Sequence, residues 1–216
     1  MGAQSIFTTV VTPASSYSLV ALADFKNEYG ITETEDDAYI TRLVASASAA
    51  AAQYCNRVFV AETVLDEFWA QRDPFPRLIR GGFTPLQLTR WPVISIDTVT
   101  ENAVALTEDV DFKVSYQTGQ ITRLDDYGNP RTWANRAIAI QYESGYATIP
   151  ADLADAVLRM MRLRWFARDR DAMLRSESVV GAYDAQYWFA NGPGSQGQFT
   201  PDIADILNNY RSPVVA

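Results

Sequence analysis

Histidine is missing from this chain altogether, and cysteine occurs once, as Cys55. The first absence removes Ser-His-Asp and Cys-His catalysis and every His-ligated metal site. The second excludes an intrachain disulfide. Lysine is nearly absent as well. Lys26 and Lys113 are the only two, so arginine carries the positive charge, and its planar fork suits fixed ion pairs better than an ammonium does. No apolar run approaches the roughly 18 residues that a membrane-spanning helix needs. No Lys or Arg precedes Lys26, so the basic start of a secretory signal is lacking. Met1-Gly2 opens like a myristoylation site, but Ile6 stands where that motif takes Ser or Thr. The expectation is a soluble protein that is not secreted and has no membrane partner.

What remains is the composition of a packed globular chain. Of 216 residues, 48% are hydrophobic and 20% charged, enough for one domain or for a core carrying an inserted module. The net charge is −8, from 26 acidic and 18 basic residues, which disfavours tight binding of DNA phosphates by the surface as a whole. Such a protein can still surround DNA without gripping it.

Along the chain the texture changes twice. Residues 1–17, rich in Thr, Ser, Val and Ala around Pro13, read as an extended N-terminal arm. Ser18 is placed to cap a short helix from Leu19 to Tyr29 that Gly30 ends. A longer helix follows, with Thr34 as its cap and Glu35, Asp36 and Asp37 in the first turn, where the helix dipole favours negative charge. Ile40, Leu43, Val44, Ala47, Ala51 and Tyr54 fall on one stripe of it, whereas Ala45, Ser48, Ala49 and Ala52 form a second face of small residues. That face either admits another helix at close range or simply reflects the high helix propensity of Ala. From Val58 to about Tyr146, short β-rich runs alternate with Pro, Gly and Asp turns: Val58–Phe68, Leu86–Thr89, Ser95–Glu101, Phe112–Tyr116, Gln120–Leu124 and Ala137–Tyr142. Gln117-Thr118-Gly119 reads as a hairpin turn. Helical signals return after Pro150, where Leu153, Ala156, Val157, Met160 and Leu163 make one apolar stripe and Leu158, Met161 and Trp165 another. An aromatic stretch from Ser176 to Phe189 and a Gly-rich linker, Asn191 to Gly197, precede a last helix opened by Thr200-Pro201-Asp202 and lined by Ile203, Ile206, Leu207 and Tyr210. The expected class is therefore α+β. A helical bundle is built from both chain ends, residues 18–57 and 150–216, with a β-rich insertion over 58–149.

No stretch carries an active-site pattern. Glu35-Asp36-Asp37 is a helix start before it is a metal cluster. Asp125 to Pro130 lacks the alternate acidic spacing and closing Glu of a calcium loop and reads as a turn. Gly192 to Gly197 lacks the Lys-Ser or Lys-Thr of a phosphate loop. Arg159, Arg162, Arg164, Arg168, Arg170 and Arg175 are interleaved with Asp152, Asp155, Asp169, Asp171 and Glu177, so an ion-paired face is expected there and not a DNA-binding one. No catalytic, cofactor-binding or metal-binding residue is assigned.

The order of features resembles the head–tail connector (adaptor) proteins of tailed phages, in the longer branch with a β insertion. The likeness is carried by Leu19 to Lys26, Glu35 to Ile40 and Tyr54 to Val60, then by Trp91-Pro92-Val93-Ile94-Ser95-Ile96 and Asp111 to Val114. Tyr142-Glu143-Ser144-Gly145-Tyr146, followed by Pro150 to Leu153 and a helix, completes it. The resemblance implies a non-enzymatic subunit of the virion neck, formed in the host cytoplasm, in a ring that is usually dodecameric between the portal protein and the stopper or tail. DNA passes that ring without tight binding. Two alternatives are another neck component, such as a stopper or head-completion protein, and a small carboxylate-dependent hydrolase, against which the absence of His argues. On this reading Ala45, Ser48, Ala49 and Ala52, with Leu158, Met161 and Trp165, are expected at subunit interfaces. Ile203, Ile206, Leu207 and Tyr210 are expected to dock on the portal, the alternative being that this helix folds back on its own subunit. From the charge balance, the isolated protein is expected to show no salt-sensitive affinity for duplex DNA at micromolar or tighter levels, as checked by titration over a salt series.

Overall fold

The computed structural model describes residues 5–69, 85–134, 137–168, 176–179, 183–186 and 199–212. These form a mixed α and β protein with four helices and eleven strands. The chain divides into two compact units, Met1–Ser16 with Val60–Thr148, and Tyr17–Phe59 with Ile149–Ala216.

The first unit holds strands β1 (Ser5–Thr12), β2 (Glu62–Trp69), β3 (Leu86–Gln87), β4 (Val93–Glu101), β5 (Val104–Leu106), β6 (Phe112–Ser115), β7 (Gln120–Leu124), β8 (Pro130–Arg131) and β9 (Ile138–Ser144). One sheet runs β1-β2-β9-β4-β5 and a second β3-β7-β6, with β8 also on β7; every pairing is antiparallel. Alternation decides what each strand buries. In β9, Ile138, Ile140, Tyr142 and Ser144 point inward, and in β2 Glu62, Val64, Asp66 and Phe68 do. Their apolar members join Leu86, Leu88, Val93, Val99, Phe112 and Ile121 in one core. Two departures from the sequence reading concern this unit. The expected arm supplies a paired edge strand, with Ile6 opposite Phe68 and Thr8 opposite Asp66. The strand expected from Val58 begins at Glu62 and places two acidic side chains on the core side.

Each buried charge there is met. Asp66, fully buried, accepts hydrogen bonds from Thr8 Oγ1 (2.7 Å), Thr89 N (2.8 Å), Thr89 Oγ1 (2.8 Å) and Tyr142 Oη (2.8 Å). Burial, and then the Asp66 charge, push the Tyr142 phenol well above its ordinary range, so Tyr142 stays a donor. Glu62 pairs with Arg90. Arg123 of β7 reaches Glu101 of β4 (3.3 Å) and Asp111 (3.3 Å), joining the two sheets through an ion pair. The hairpin expected at Gln117-Thr118-Gly119 joins β6 to β7, with Gly119 N donating to Ser115 O (2.8 Å) and Gly119 at φ +68°. At Gly145, φ is +117° and an added Cβ would lie 2.5 Å from the Val60 carbonyl oxygen, so only glycine lets these backbones approach.

The second unit holds α1 (Leu22–Tyr29), α2 (Asp37–Cys55), α3 (Ala151–Ala167) and α4 (Pro201–Asn208), with a two-stranded ribbon of β10 (Ser176–Val179) and β11 (Tyr183–Gln186). α1 packs on α2, α2 on α3 and α4, and α3 on α4. Ser18 does not cap α1. The helix starts three residues after Leu19, and Asp24 Oδ2 accepts the Ala21 N–H (3.0 Å), while Leu19 and Val20 are buried ahead of it. Gly30 ends α1 in the left-handed conformation, as expected, and Asn56 does the same for α2. The acidic start of α2 is paired: Asp37 with Lys26 (2.6 Å) and Asp36 with Arg168 (3.1 Å). The α2 stripe of Ile40, Leu43, Val44, Ala47 and Ala51 is buried. The Gly-rich linker at 191–197 lies outside the described residues, as do residues 180–182 and 187–189 of the aromatic stretch before it.

Asp66 generates a test. Asp66→Ala strips the buried Tyr142 Oη of its carboxylate acceptor, and a buried donor left unpaired costs about 1–3 kcal/mol. Urea denaturation should show a loss of about that size, with Asp66→Asn, which keeps an acceptor oxygen, losing less.

Candidate assembly surfaces

The helix faces of the second unit are the candidates for a binding surface, α4 among them. Its apolar stripe is turned inward: Ile203 and Leu207 are buried, while Ile206 and Tyr210 are half-buried. The surrounding polar contacts all run within the subunit. Cys55 Sγ donates to Leu207 O (3.3 Å), Tyr54 Oη to Asn208 Oδ1 (2.9 Å), Tyr210 Oη to Asp152 Oδ1 (2.5 Å), and Ser212 N to Cys55 O (2.9 Å). Phe199 and Tyr210 pack edge-on against Tyr54 and Phe59. The expectation that Ile203, Ile206, Leu207 and Tyr210 are kept for the portal is therefore corrected. A short helix is marginal alone, and the nearest apolar surface, that of α2 and α3, covers it first.

The two sets expected at subunit interfaces are split in the same way. Ser48 is buried, its Oγ accepting the Leu19 N–H (3.0 Å), and Met161 is fully buried, so these two belong to the subunit's own interior. Ala45 and Ala49 are exposed; Ala52, Leu158 and Trp165 are half-buried. Trp165 is wedged between Phe25, Tyr39 and Arg168, whose guanidinium lies 4.1 Å from its ring. What α3 leaves bare is Leu163 and, further round, Phe166, 64% exposed although Tyr29 meets it edge-on. Helical spacing puts Leu163 on the core stripe and Phe166 between the stripes, so periodicity alone marks neither for an interface. Beside them a groove of about 1000 Å³ is lined by Tyr29, Met160, Leu163, Phe166, Phe199 and Ile203, with Glu28, Asp155, Arg159 and Arg162 also on its walls.

Of the described arginines in this run, Arg159 and Arg168 pair with carboxylates, Arg168 with Asp36. Arg159 bridges Asp155 (2.8 Å) and Asp202 (3.2 Å), which raises its pKa further, and Arg164 donates to Ser46 Oγ (2.7 Å). Arg170 and Arg175 lie outside the described residues. The Asp125 loop is a turn: its carboxylate takes the backbone N–H groups of Asn129 (2.8 Å) and Tyr127 (2.9 Å), and the Asn129 bond is foremost in holding its pKa below the usual value. Among the described residues no group of three or more His, Cys, Asp or Glu is placed to hold a metal ion, and no helix is long and apolar enough to cross a membrane.

A family model described as head completion protein (HCP) matches residues 18–212. No curated protein matches the chain. Among solved structures, a chain from "Virion of native gene transfer agent (GTA) particle" is 15% identical, with 97% of each chain covered and a TM-score of 0.55. Chains from "Neck of empty GTA particle computed with C6 symmetry" and "Neck of native GTA particle computed with C12 symmetry" are each 14% identical over the same coverage, with TM-scores of 0.54 and 0.53. The fold is thus shared from end to end with a chain of those particles at a level of identity where individual side chains are mostly different.

The position of Leu207 over Cys55 gives a direct readout of α4 docking. Burial pushes the Cys55 thiol up to about 11, so at pH 8 it should resist an aromatic disulfide reagent in the intact protein. Leu207→Ala, expected to cost about 2–5 kcal/mol, should speed its labelling in proportion to the opening of α4.

Proposed function

Because the chain belongs to the head completion protein family, we propose that it is a structural, non-enzymatic subunit of the neck of a tailed phage or phage-like particle, acting as an adaptor ring between portal and stopper or tail. The single observation that carries the reading is the family match across residues 18–212. It is supported by the shared fold with chains of gene transfer agent particles, two of them from necks computed with C6 and C12 symmetry. In this reading the ring is a dodecamer that forms in the host cytoplasm and resides in the virion neck. Its second unit is a helical bundle drawn from both chain ends, into which the β unit is inserted. The ring helps retain packaged DNA and lets it pass without tight binding, in keeping with a net charge of −8.

The surfaces assigned to this role follow the exposure found above. Ala45 and Ala49 of α2, flanked by half-buried Ala52, and half-buried Leu158 and Trp165 of α3 meet neighbouring subunits. Leu163 and Phe166 extend that surface. The portal contact is not assigned to the α4 stripe, which the subunit itself covers.

A second reading, that the chain is a stopper or head-completion component and not the adaptor, is favoured by the family's own description. The two differ in position, the adaptor touching the portal and the stopper not. The hydrolase alternative gains nothing from the family. A reconstruction of the assembled neck decides among these. Density for this chain directly on the portal is expected, and density one layer further out would select the stopper reading. Ala49→Trp places a bulky ring on an exposed helix face, so it should leave the urea midpoint of the subunit unchanged and abolish the ring on portal-bearing heads.

A further inference from the structure

Little protects the outer edge of strand β1. Edges in soluble proteins are usually blunted by charge, proline, bulges or a covering element, because unpaired backbone N–H and C=O groups invite another strand. The run Ser5–Thr12 contains no charge and no proline, and its single irregularity lies between Val10 and Thr12. Among the described residues it pairs with β2 alone. Its side chains are bare: Ile6 and Val10 on one face, Phe7 on the other, and Val11 at the irregularity are 40% to 59% exposed. The strand is nevertheless held in place, by its ladder to β2 and by Thr8 on the buried Asp66 carboxylate. It is an extended, anchored, apolar edge.

Charge and topology identify the occupant. The first charged side chain in the sequence is Asp24, so β1 belongs to an uncharged stretch in a chain of net charge −8. Most surfaces of two copies repel one another, and this one does not. The opposite end of the same sheet offers a partner of the same kind. β5, Val104-Ala105-Leu106, is uncharged, pairs among the described residues with β4 alone, and leaves Val104 62% exposed. Four successive antiparallel pairings leave β1 and β5 running in the same direction. Pairing of β1 with a second β1 is two-fold and stops at a dimer, whereas pairing of β1 with β5 is head-to-tail and can close into a ring. We infer that β1 of one subunit adds to the β5 edge of its neighbour, so that one sheet continues from copy to copy around the ring. The inference rests on the ring assembly proposed above.

Cross-linking on portal-bearing heads tests it with the full chain. Cys55 is buried and stays silent, so Val10→Cys and Ala105→Cys supply the reactive thiols for a short bismaleimide. The double variant is expected to give a ladder of covalent multimers, and each single variant none. Ile6→Lys with Val10→Lys, both exposed positions, should keep the wild-type urea midpoint and lose about tenfold or more in ring occupancy, since charge on an edge opposes strand addition. Dimers cross-linked by Val10→Cys alone, or a double-lysine variant that fills the ring as well as wild type does, overturn the β1–β5 contact while leaving the ring standing. Necks in which wild-type protein forms no ring overturn the assembly reading, and this contact with it.

Discussion

A carboxylate held out of water has to be met by donors, and Asp66 is met by four, two of them from Thr89. That requirement organises the β unit. It draws Thr8 of the N-terminal strand, Thr89 before β4 and Tyr142 of β9 to one point, and so sets which segments lie side by side before packing refines the fit. An apolar residue at position 66 would fill space without choosing among neighbours. A carboxylate accepts only an arrangement that brings donors to it. The Arg123 pairs with Glu101 and Asp111 act in the same sense between the two sheets.

The helical unit is held by ordinary apolar burial, and its consequence is functional. α2 and α3 bury one face each, and α4 closes over the surface between them, with Ile203 and Leu207 inside. Among the described residues of α2 and α3, the bare apolar side chains include Ala45 and Ala49 on α2 and Leu163 and Phe166 on α3, beside the groove. A subunit that spends its C-terminal helix on its own core must present other surfaces to its partners.

The chain shares its fold with proteins of very different sequence. At 14% to 15% identity the chain still covers 97% of the gene transfer agent chains it resembles. A fold can persist at that distance because many apolar residues satisfy a core position. Gly145 is different in kind: the Val60 carbonyl leaves no room for a Cβ, and the backbone there is left-handed.

The alternation of short β runs, the helix periodicities, the glycine stop of α1 and the hairpin at Gly119 were all legible in the sequence by itself, because each depends on neighbours within a few residues. So was a likeness to phage neck proteins, through the order of its motifs, although the family that matches is described as head completion and not as adaptor; the lack of histidine is a fact of the sequence itself. Three things were decided only in the tertiary structure. Nothing in Glu-Thr-Val-Leu-Asp-Glu-Phe-Trp says that Glu62 and Asp66 face the core, since both alternating sets of that strand mix polar with apolar side chains and the choice depends on donors elsewhere in the chain. The arm became an edge strand because its hydrogen-bonding partner, β2, lies more than fifty residues away. The stripe of α4 was visible, but its partner was not: an apolar face specifies that it will be covered and leaves open by what, and the nearest helices of the same subunit reached it first.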